Sequence, residues 1–523
     1  MNYADLFRAT LPETALEVAA LLVLVIDLGL LRKASLKVRT AAAALLGVAG
    51  CTAAVWAMFA TGAPGFLAGD STLLGEGGII AAAQAGILVL TALTLLLLID
   101  TDFTQHVGEF VAVVLMAATG GLLIAAAQDL LVIFIGLELL SLGLYILTAF
   151  AKSSAKSAEA AMKYYLFGGM SAAFLLFGFS YFYGLSGTTS LAGIQEAIAN
   201  SGSSPLLYVA WILVVAGLGF KVAAVPFHLW APDTYEGAPA PAAAFIASVS
   251  KVASFTLLLT ICLNWLAFHH EFAPSSAPLT QLLHQTDATW GPMASILLLV
   301  AAASMVVGNL AALAQVSVRR LLAYSAIAHA GYILLGIATF PHYSGAEQSF
   351  ESVMLSIAHI NVTTNAVLYY VLSYGLTTIG AFGVVGVVER ATGSDKLDAF
   401  LGLHKRSPLL AAVLLVLFLS LAGIPPLVGF WAKFNLFAAV LGTAAGPVPF
   451  ALVALAIALS AVSLYYYLQV LKRAYVMNPI DESPIRVHPV TLLVLLVIAC
   501  AVVVLGCFPA LLQNWISSFY LIN

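Results

Sequence analysis

The stretch from Gly217 to Lys251 reads GLGFKVAAVPFHLWAPDTYEGAPAPAAAFIASVSK and decides the fold. It places Lys221 and Lys251 inside segments otherwise apolar enough to span a membrane, with a proline-rich polar hairpin between them. A charge near the bilayer centre costs roughly 2.5 to 17 kcal/mol, so such residues face a bundle interior or a hydrated cavity. Pro226 follows Lys221 by little more than a turn, and an interior proline removes a helix hydrogen bond and frees a carbonyl that needs another partner. Broken helices at membrane depth are tolerated where they line a path.

Working outward, the whole chain of 523 residues is 62% hydrophobic and 8% charged, whereas about 25% of residues are charged in soluble domains. A polytopic membrane protein is expected. The net charge of -4 says little about partners, because in a membrane chain the placement of charge matters. No basic run exists to bind nucleic acid. Cys51, Cys262, Cys500 and Cys507 stand apart in apolar segments without CxxC spacing, so they read as packing thiols. Iron-sulfur clusters and structural zinc are not expected in this chain.

Apolar segments near 11-31, 40-61, 79-99, 108-126, 129-150, 161-183, 206-229, 240-267, 292-313, 320-340, 362-388, 408-437, 448-471 and 489-514 predict an all-α protein. That makes about 14 transmembrane helices in a single transmembrane domain, 1-523, each long enough for a ~30 Å core. Arg32, Lys33, Lys37 and Arg39, then Lys152 and Lys156, then Arg319 and Arg320, then the loops at 390-406 and 472-486, all fall on one side. By the positive-inside rule that side is cytoplasmic. The opposite loops 62-78, 184-205, 268-291 and 341-361 contain no Lys or Arg, which places both termini outside. Glu13 and Glu17, with Arg32 and Lys33 after the run, favour an uncleaved first helix over a signal peptide.

Helix five carries Glu138, nine residues after Asp129 and so about 13.5 Å into the membrane. A protonated, merely tolerated carboxyl is one reading. The other pairs it with Lys221 and Lys251, predicted at similar depth on nearby helices, since a buried charge normally has a partner. Helix ten carries His329 beside Tyr324 and Ser325, as a hydrogen-bonded packing group or as a relay step. Helix twelve repeats the opening device: Gly423, Pro425 and Pro426 break it and Lys433 follows. LGFK and GFWAK mark helices seven and twelve as counterparts, although the proline follows the lysine in one and precedes it in the other. If the halves are helices 4-8 (108-267) and 9-13 (292-471), each has five spans and they are inverted, a transporter architecture. The three helices of 1-100 precede them and the helix at 489-514 follows. Burial disfavours an ammonium and a nearby carboxylate restores it, so a lysine whose partner moves gains or releases a proton. The alternative is that Lys221, Lys251 and Lys433 only hold helices together. Lys163 lies near the cytoplasmic end of helix six.

At these residues the sequence resembles subunit N of bacterial respiratory complex I, the NADH:quinone oxidoreductase family. The marks are GLELLSLGLYIL at 136-147, EAAMKYYLFG at 159-168, PFHLWAPDTYEGAPAPAAAF at 226-245, RRLLAYSAIAHAGY at 319-332 and LAGIPPLVGFWAKF at 421-434. The resemblance implies an antiporter-like fold in which Glu138, Lys221, Lys251 and Lys433 form a charged axis, with His329 passing protons toward Lys433. Lys163, Pro226, His228, Tyr324, Pro425 and Pro426 take supporting roles. It further implies proton translocation without redox chemistry in this chain, with FMN, iron-sulfur clusters and quinone held by partner subunits. The implied partners are the A, J, K, L and M type membrane subunits, the peripheral redox arm and the lipid of a bacterial inner membrane. Alternatives are a subunit of an Mrp-type cation/proton antiporter or of a related membrane-bound hydrogenase, and a purely structural spacer.

Overall fold

The computed structural model describes residues 7–60, 73–75, 78–201, 204–266, 292–339, 350–443, 447–479 and 481–521. Most of loops 62–78 and 268–291 and the first part of 341–361, on which the topology expectation leans, lie outside the described residues. The first six helices are α1 (Leu11–Val25, continued by the π-turn Ile26–Leu30), α2 (Leu36–Ala60), α3 (Gly78–Leu98), α4 (Val107–Ala126), α5 (Leu130–Thr148) and α6 (Ala155–Ser186). Next come α7 (Pro205–Lys221), a hairpin helix Trp230–Gly237, and α8 (Ala240–Ala247, kinked at Ser248 and resuming as Val249–Leu266). The rest are α9 (Pro292–Leu313), α10 (Val318–Ala338), α11 (Phe350–Thr392), α12 in two halves (Pro408–Ala422 and Val428–Thr443), α13 (Pro447–Tyr475), α14 (Pro489–Cys507) and α15 (Pro509–Leu521).

Among the described residues 11 helices are long and apolar enough to cross a membrane, and Pro205–Lys221, Pro408–Ala422 and Val428–Gly442 are shorter apolar helices. Helix starts are chemically marked. Asp129, Ser154, Ser204 and Ser317 accept backbone N–H bonds at the starts of α5, α6, α7 and α10, while prolines open α7, α12 and α14 where no N–H is needed. Some helices outrun their apolar spans, α6 and α11 the most. Ser154 starts α6 before the expected 161, and α11 runs to Thr392 rather than 388.

Burial separates centre from rim. α8 and α10 are buried almost all round and α11 nearly so, whereas α2, α6, α13 and α14 expose most of their surface. A helix apolar on every face belongs in an interior, and these three carry Lys251, His329 and their hydroxyl neighbours. In each five-helix set, α4–α8 and α9–α13, the fourth helix is interrupted.

α1 and α2 are joined to each other by an ion pair, and to α4 by a hydrogen bond, neither of which the sequence announces. Asp27, 1% exposed on the π-turn, takes Nε of Arg39 at 2.7 Å and Nη2 at 2.6 Å, and also the Gly108 N–H of α4 at 3.2 Å. A Cβ on Gly108 would lie 2.6 Å from Asp27 Oδ2, so only glycine admits that approach. Replacing Asp27 with Ala removes the pair and the Gly108 bond, and because Arg39 keeps part of its surface in solvent the change is expected to cost about 1 kcal/mol. The thermal midpoint of the purified assembly should fall accordingly, and an unchanged midpoint would show that this pair does not hold α1, α2 and α4 together.

Candidate functional site

At the first interruption α7 stops at Lys221, and Ala223 takes a left-handed conformation with φ 55°. The turn leaves the Val222 carbonyl free of the helix ladder, and the Lys251 ammonium of α8 donates to it. Trp230 Nε1 donates to the neighbouring Phe220 carbonyl at 2.9 Å, and the Val225 N–H donates to Ser304 Oγ of α9 at 2.9 Å. Lys221 itself turns to α5 and donates to Ser141 Oγ, which in turn donates to the Leu137 carbonyl. Both ammonium groups are buried.

The second interruption repeats the device. The first half of α12 ends at Ala422, and Gly423 adopts φ 88°. Lys433, on the second half, reaches back to the Ala422 carbonyl at 2.9 Å and to Ser460 Oγ of α13 at 2.7 Å. The C-terminal end of a helix carries a partial negative charge, and a cation there gains up to about 2 kcal/mol in partly buried geometry. Each break thus supplies an anionic end without a carboxylate. Lys251 and Lys433 cap the two ends.

His329 stands beside the second break. Its Nδ1 shares a 2.7 Å hydrogen bond with the Tyr370 hydroxyl, and its ring lies 4.8 Å from that of Tyr374. A small cavity of ≈ 10 Å³, lined by His329, Tyr370, Ser373, Thr377 and Ser420 among others, joins α10 and α11 to the α12 break. Hydroxyl and imidazole groups punctuate a largely apolar wall. The buried hydroxyls of Tyr235 and Ser254 have no protein partner among the described residues, the condition under which water normally supplies the bond.

From sequence, Lys221 is expected to meet Glu138. Instead Ser141, nearly one turn further along α5, makes the contact, and Glu138 stays within Coulombic reach. Glu138 is half-buried in a stripe whose other members, Leu131, Ile135, Leu142 and Ile146, are exposed, so it points toward the rim of the subunit. Among the described residues it has no ion pair within 4 Å.

Lys163 belongs to a different cluster. It pairs with Glu159 and Asp233, each at 2.7 Å, on the face that carries the Lys/Arg loops. Arg320 joins Asp233 at 2.6 Å to Glu236 at 3.0 Å, and Lys156 meets Glu236 at 3.2 Å. Arg319, nearly buried, donates to the carbonyls of Glu236 and Ala238. These charges bolt the hairpin helix to α6 and α10. Next to it opens a cleft of ≈ 320 Å³, lined by Asp100, Lys156, Glu236, Arg319, Glu389 and Arg390 among others, and extending to Ala244 of α8. Pro226, Pro425 and Pro426 are exposed at the breaks, His228 is half-buried with Nδ1 unpartnered, and Tyr324 is half-buried against the core. Next to Tyr324, Ser325 shares a hydrogen bond with Tyr467.

Partial burial pushes the Asp233 carboxyl up, but the Lys163 and Arg320 hydrogen bonds outweigh it and hold its pKa below the ordinary carboxylate value. A carboxylate depressed on folding stabilises above its unfolded pKa, about 3.9, and loses that contribution as pH falls through the lower folded value. Amides of Trp230–Gly237 should therefore stay protected from hydrogen exchange down to about pH 4 and lose protection only below it. Loss of protection near pH 6 would refute the clamp.

Gly423 generates a second expectation. A Cβ there would lie 3.0 Å from Lys433 Cδ and 3.2 Å from Nζ, in a left-handed conformation that costs a non-glycine residue about 1–2 kcal/mol. Gly423→Ala should push the ammonium off the Ala422 carbonyl and depress proton transport, while Ala223→Gly, which only relieves strain, should be tolerated. Equal transport in the two assembled variants would show that the capping contact is incidental.

Interrupted helices, buried cations at their ends and a hydroxyl-lined interior define an antiporter-like membrane protein. Residues 127–460 match the family described as "NADH:quinone oxidoreductase/Mrp antiporter, TM". Subunit N 2 of the NADH-quinone oxidoreductase of Acidobacterium capsulatum is 47% identical over 526 residues, covering 99% of each chain. Subunit N of Geobacillus kaustophilus is 37% identical over 97% of this chain and 96% of its own. A chain of respiratory complex I from Thermus thermophilus superimposes with a TM-score of 0.73 at 31% identity, covering 96% of this chain and 98% of that one. A chain of the Mrp complex from Dietzia sp. shares the fold with a TM-score of 0.73 at 20% identity, covering 98% and 97%. The chain belongs to the NADH:quinone oxidoreductase/Mrp antiporter transmembrane family, in its subunit N branch, and is a membrane subunit of an oxidoreductase complex.

Proposed function

We propose that this subunit translocates protons along Lys221, Lys251, His329 and Lys433, with Glu138 as the group that couples the axis to a neighbour. The observation that carries the reading is the pair of breaks whose freed carbonyls accept from Lys251 and Lys433. A proton held there is stabilised by a helix end, and a small displacement of that end changes how tightly it is held. The charged cavity beside the hairpin supports entry from the cytoplasmic side, because Ala244 lies about 10.5 Å along α8 from Lys251. From Lys251 the unpartnered hydroxyls and the cavity at His329 support a lateral route to Lys433.

Glu138 facing the rim at membrane depth supports a membrane subunit packed against α5, since a carboxylate turned to lipid costs several kcal/mol. The A, J, K, L and M type subunits are the candidates, in a bacterial inner membrane with both termini outside. NADH oxidation, FMN, iron-sulfur clusters and quinone chemistry then belong to those partners and the peripheral arm.

Vesicles carrying the assembled complex test this reading. Glu138→Gln should lower proton uptake per NADH oxidised, and Glu138→Asp, which keeps the charge, should retain more of it. Identical behaviour of the two would remove charge at Glu138 as the coupling variable. Cysteine labelling from outside should succeed in loop 184–205 and fail in loop 390–406, and the opposite pattern would reverse the topology.

A further inference from the structure

Glu13 lies apart from the lysine axis. It sits in the first turn of α1, is 4% exposed, and its Oε2 has no hydrogen-bond partner among the described residues. Oε1 accepts one long bond, from Gln84 Nε2 of α3 at 3.4 Å, and the same nitrogen donates to the Leu122 carbonyl of α4 at 3.3 Å. Among the described residues no cation pairs with Glu13, and the nearby charge is the exposed Glu17, of the same sign. On the neighbouring helices Arg39 pairs with Asp27 and Glu109 with His106, both at the opposite end of the bundle. Apart from its own backbone N–H, that long bond is the carboxyl's support, so ionising it inside the bundle is costly. Glu13 in this arrangement can take up and give back a proton, and Oε2 is the atom open to exchange.

The surrounding helices connect this carboxyl to Lys251. A Cβ on Gly121, which precedes Leu122, would lie 3.5 Å from Ala253 of α8 and 3.8 Å from Ile87 of α3, so three helices meet at one level. Ser254, beside Ala253, is buried with its hydroxyl unpartnered. Lys251 to Ala253 advances about 3 Å, and Ile87 to Gln84 about 4.5 Å, each away from the Lys/Arg-rich face. Glu13 lies at the start of α1, on the far side.

We propose that Glu13 is a proton-carrying site, the outer end of an outlet that branches from the lateral route at Lys251 and runs past Ser254 and Gln84 to the first turn of α1. In the step, an N–H bond of the Lys251 ammonium breaks, leaving the amine, and an O–H bond forms at Oε2 of the ionised Glu13. That O–H then gives its proton to water outside. The Gln84 amide supports the carboxylate from that release until the next proton arrives. The inference rests on the reading of Lys251 as a proton carrier.

The test is proton uptake per NADH in vesicles carrying the whole complex, with assembly checked on native gels, for Glu13→Gln, Glu13→Asp, Gln84→Leu and Lys251→Ala. A positioned proton-transfer group contributes a factor of about 100 or more, so Glu13→Gln should slow the outlet on the order of 100-fold and cut uptake. Glu13→Asp should keep most of it, and Gln84→Leu should fall between. Normal uptake in assembled Glu13→Gln overturns the outlet. If Glu13→Gln does not assemble, Gln84→Leu decides, with reduced uptake supporting the outlet and normal uptake overturning it. Normal uptake in Lys251→Ala would sink the lysine axis itself, whereas a defect there beside normal Glu13→Gln would sink the outlet alone.

Discussion

An ammonium group inside a membrane protein has to be matched by negative charge, and here the match at two of three sites is the blunt end of a broken helix. Lys251 meets the Val222 carbonyl and Lys433 the Ala422 carbonyl. The rest of the bundle follows from that requirement. Each break needs a residue that turns left-handed, Ala223 in one and Gly423 in the other, and hydroxyls or indoles to take the remaining backbone groups. Of the helices that carry these groups, α8 and α10 are buried almost all round, while α2, α6, α13 and α14 form the rim.

A helix end differs from a carboxylate in a way that suits transport. Its charge is partial and cannot be neutralised by protonation, so it favours an ammonium without trapping the proton as a fixed ion pair would. Serine hydroxyls complete the shells of Lys221 and Lys433, and a hydroxyl both accepts and donates. Glu138 stands back from Lys221, toward the rim of the subunit. By contrast, charges on the Lys/Arg-rich face are locked in multiple ion pairs around Asp233 and Glu236, which suits anchoring rather than exchange.

Much of this is legible in the chain. Lysines in apolar runs beside Pro226 and Pro425 announce broken helices, and the alternation of Lys and Arg between loops orders the spans. Ser141 and Ser460 carry no such signal, because serine is common on membrane helices and only the fold brings them to a lysine. Asp27 is hidden by the apolar run around it, although an aspartate in a span followed by Arg39 is a readable hint. The direction in which Glu138 points is set by packing. Its spacing from Leu131, Ile135, Leu142 and Ile146 places it on one helix face, but only the exposure of those neighbours shows that the face is outward. The bolt between Asp233 and Arg320 joins positions 87 residues apart and is invisible to local patterns.

The central claim is that a cation capping a helix break carries the transported proton, and Lys251 is the place to measure it. Proton uptake per NADH should be compared in vesicles holding equal amounts of assembled complex with Lys251, Lys251→Arg and Lys251→Met. The account predicts that Met, which fills the space without the charge, abolishes the contribution of this subunit, and that Arg, which holds its proton permanently, fails as well. Normal uptake with Met would contradict it.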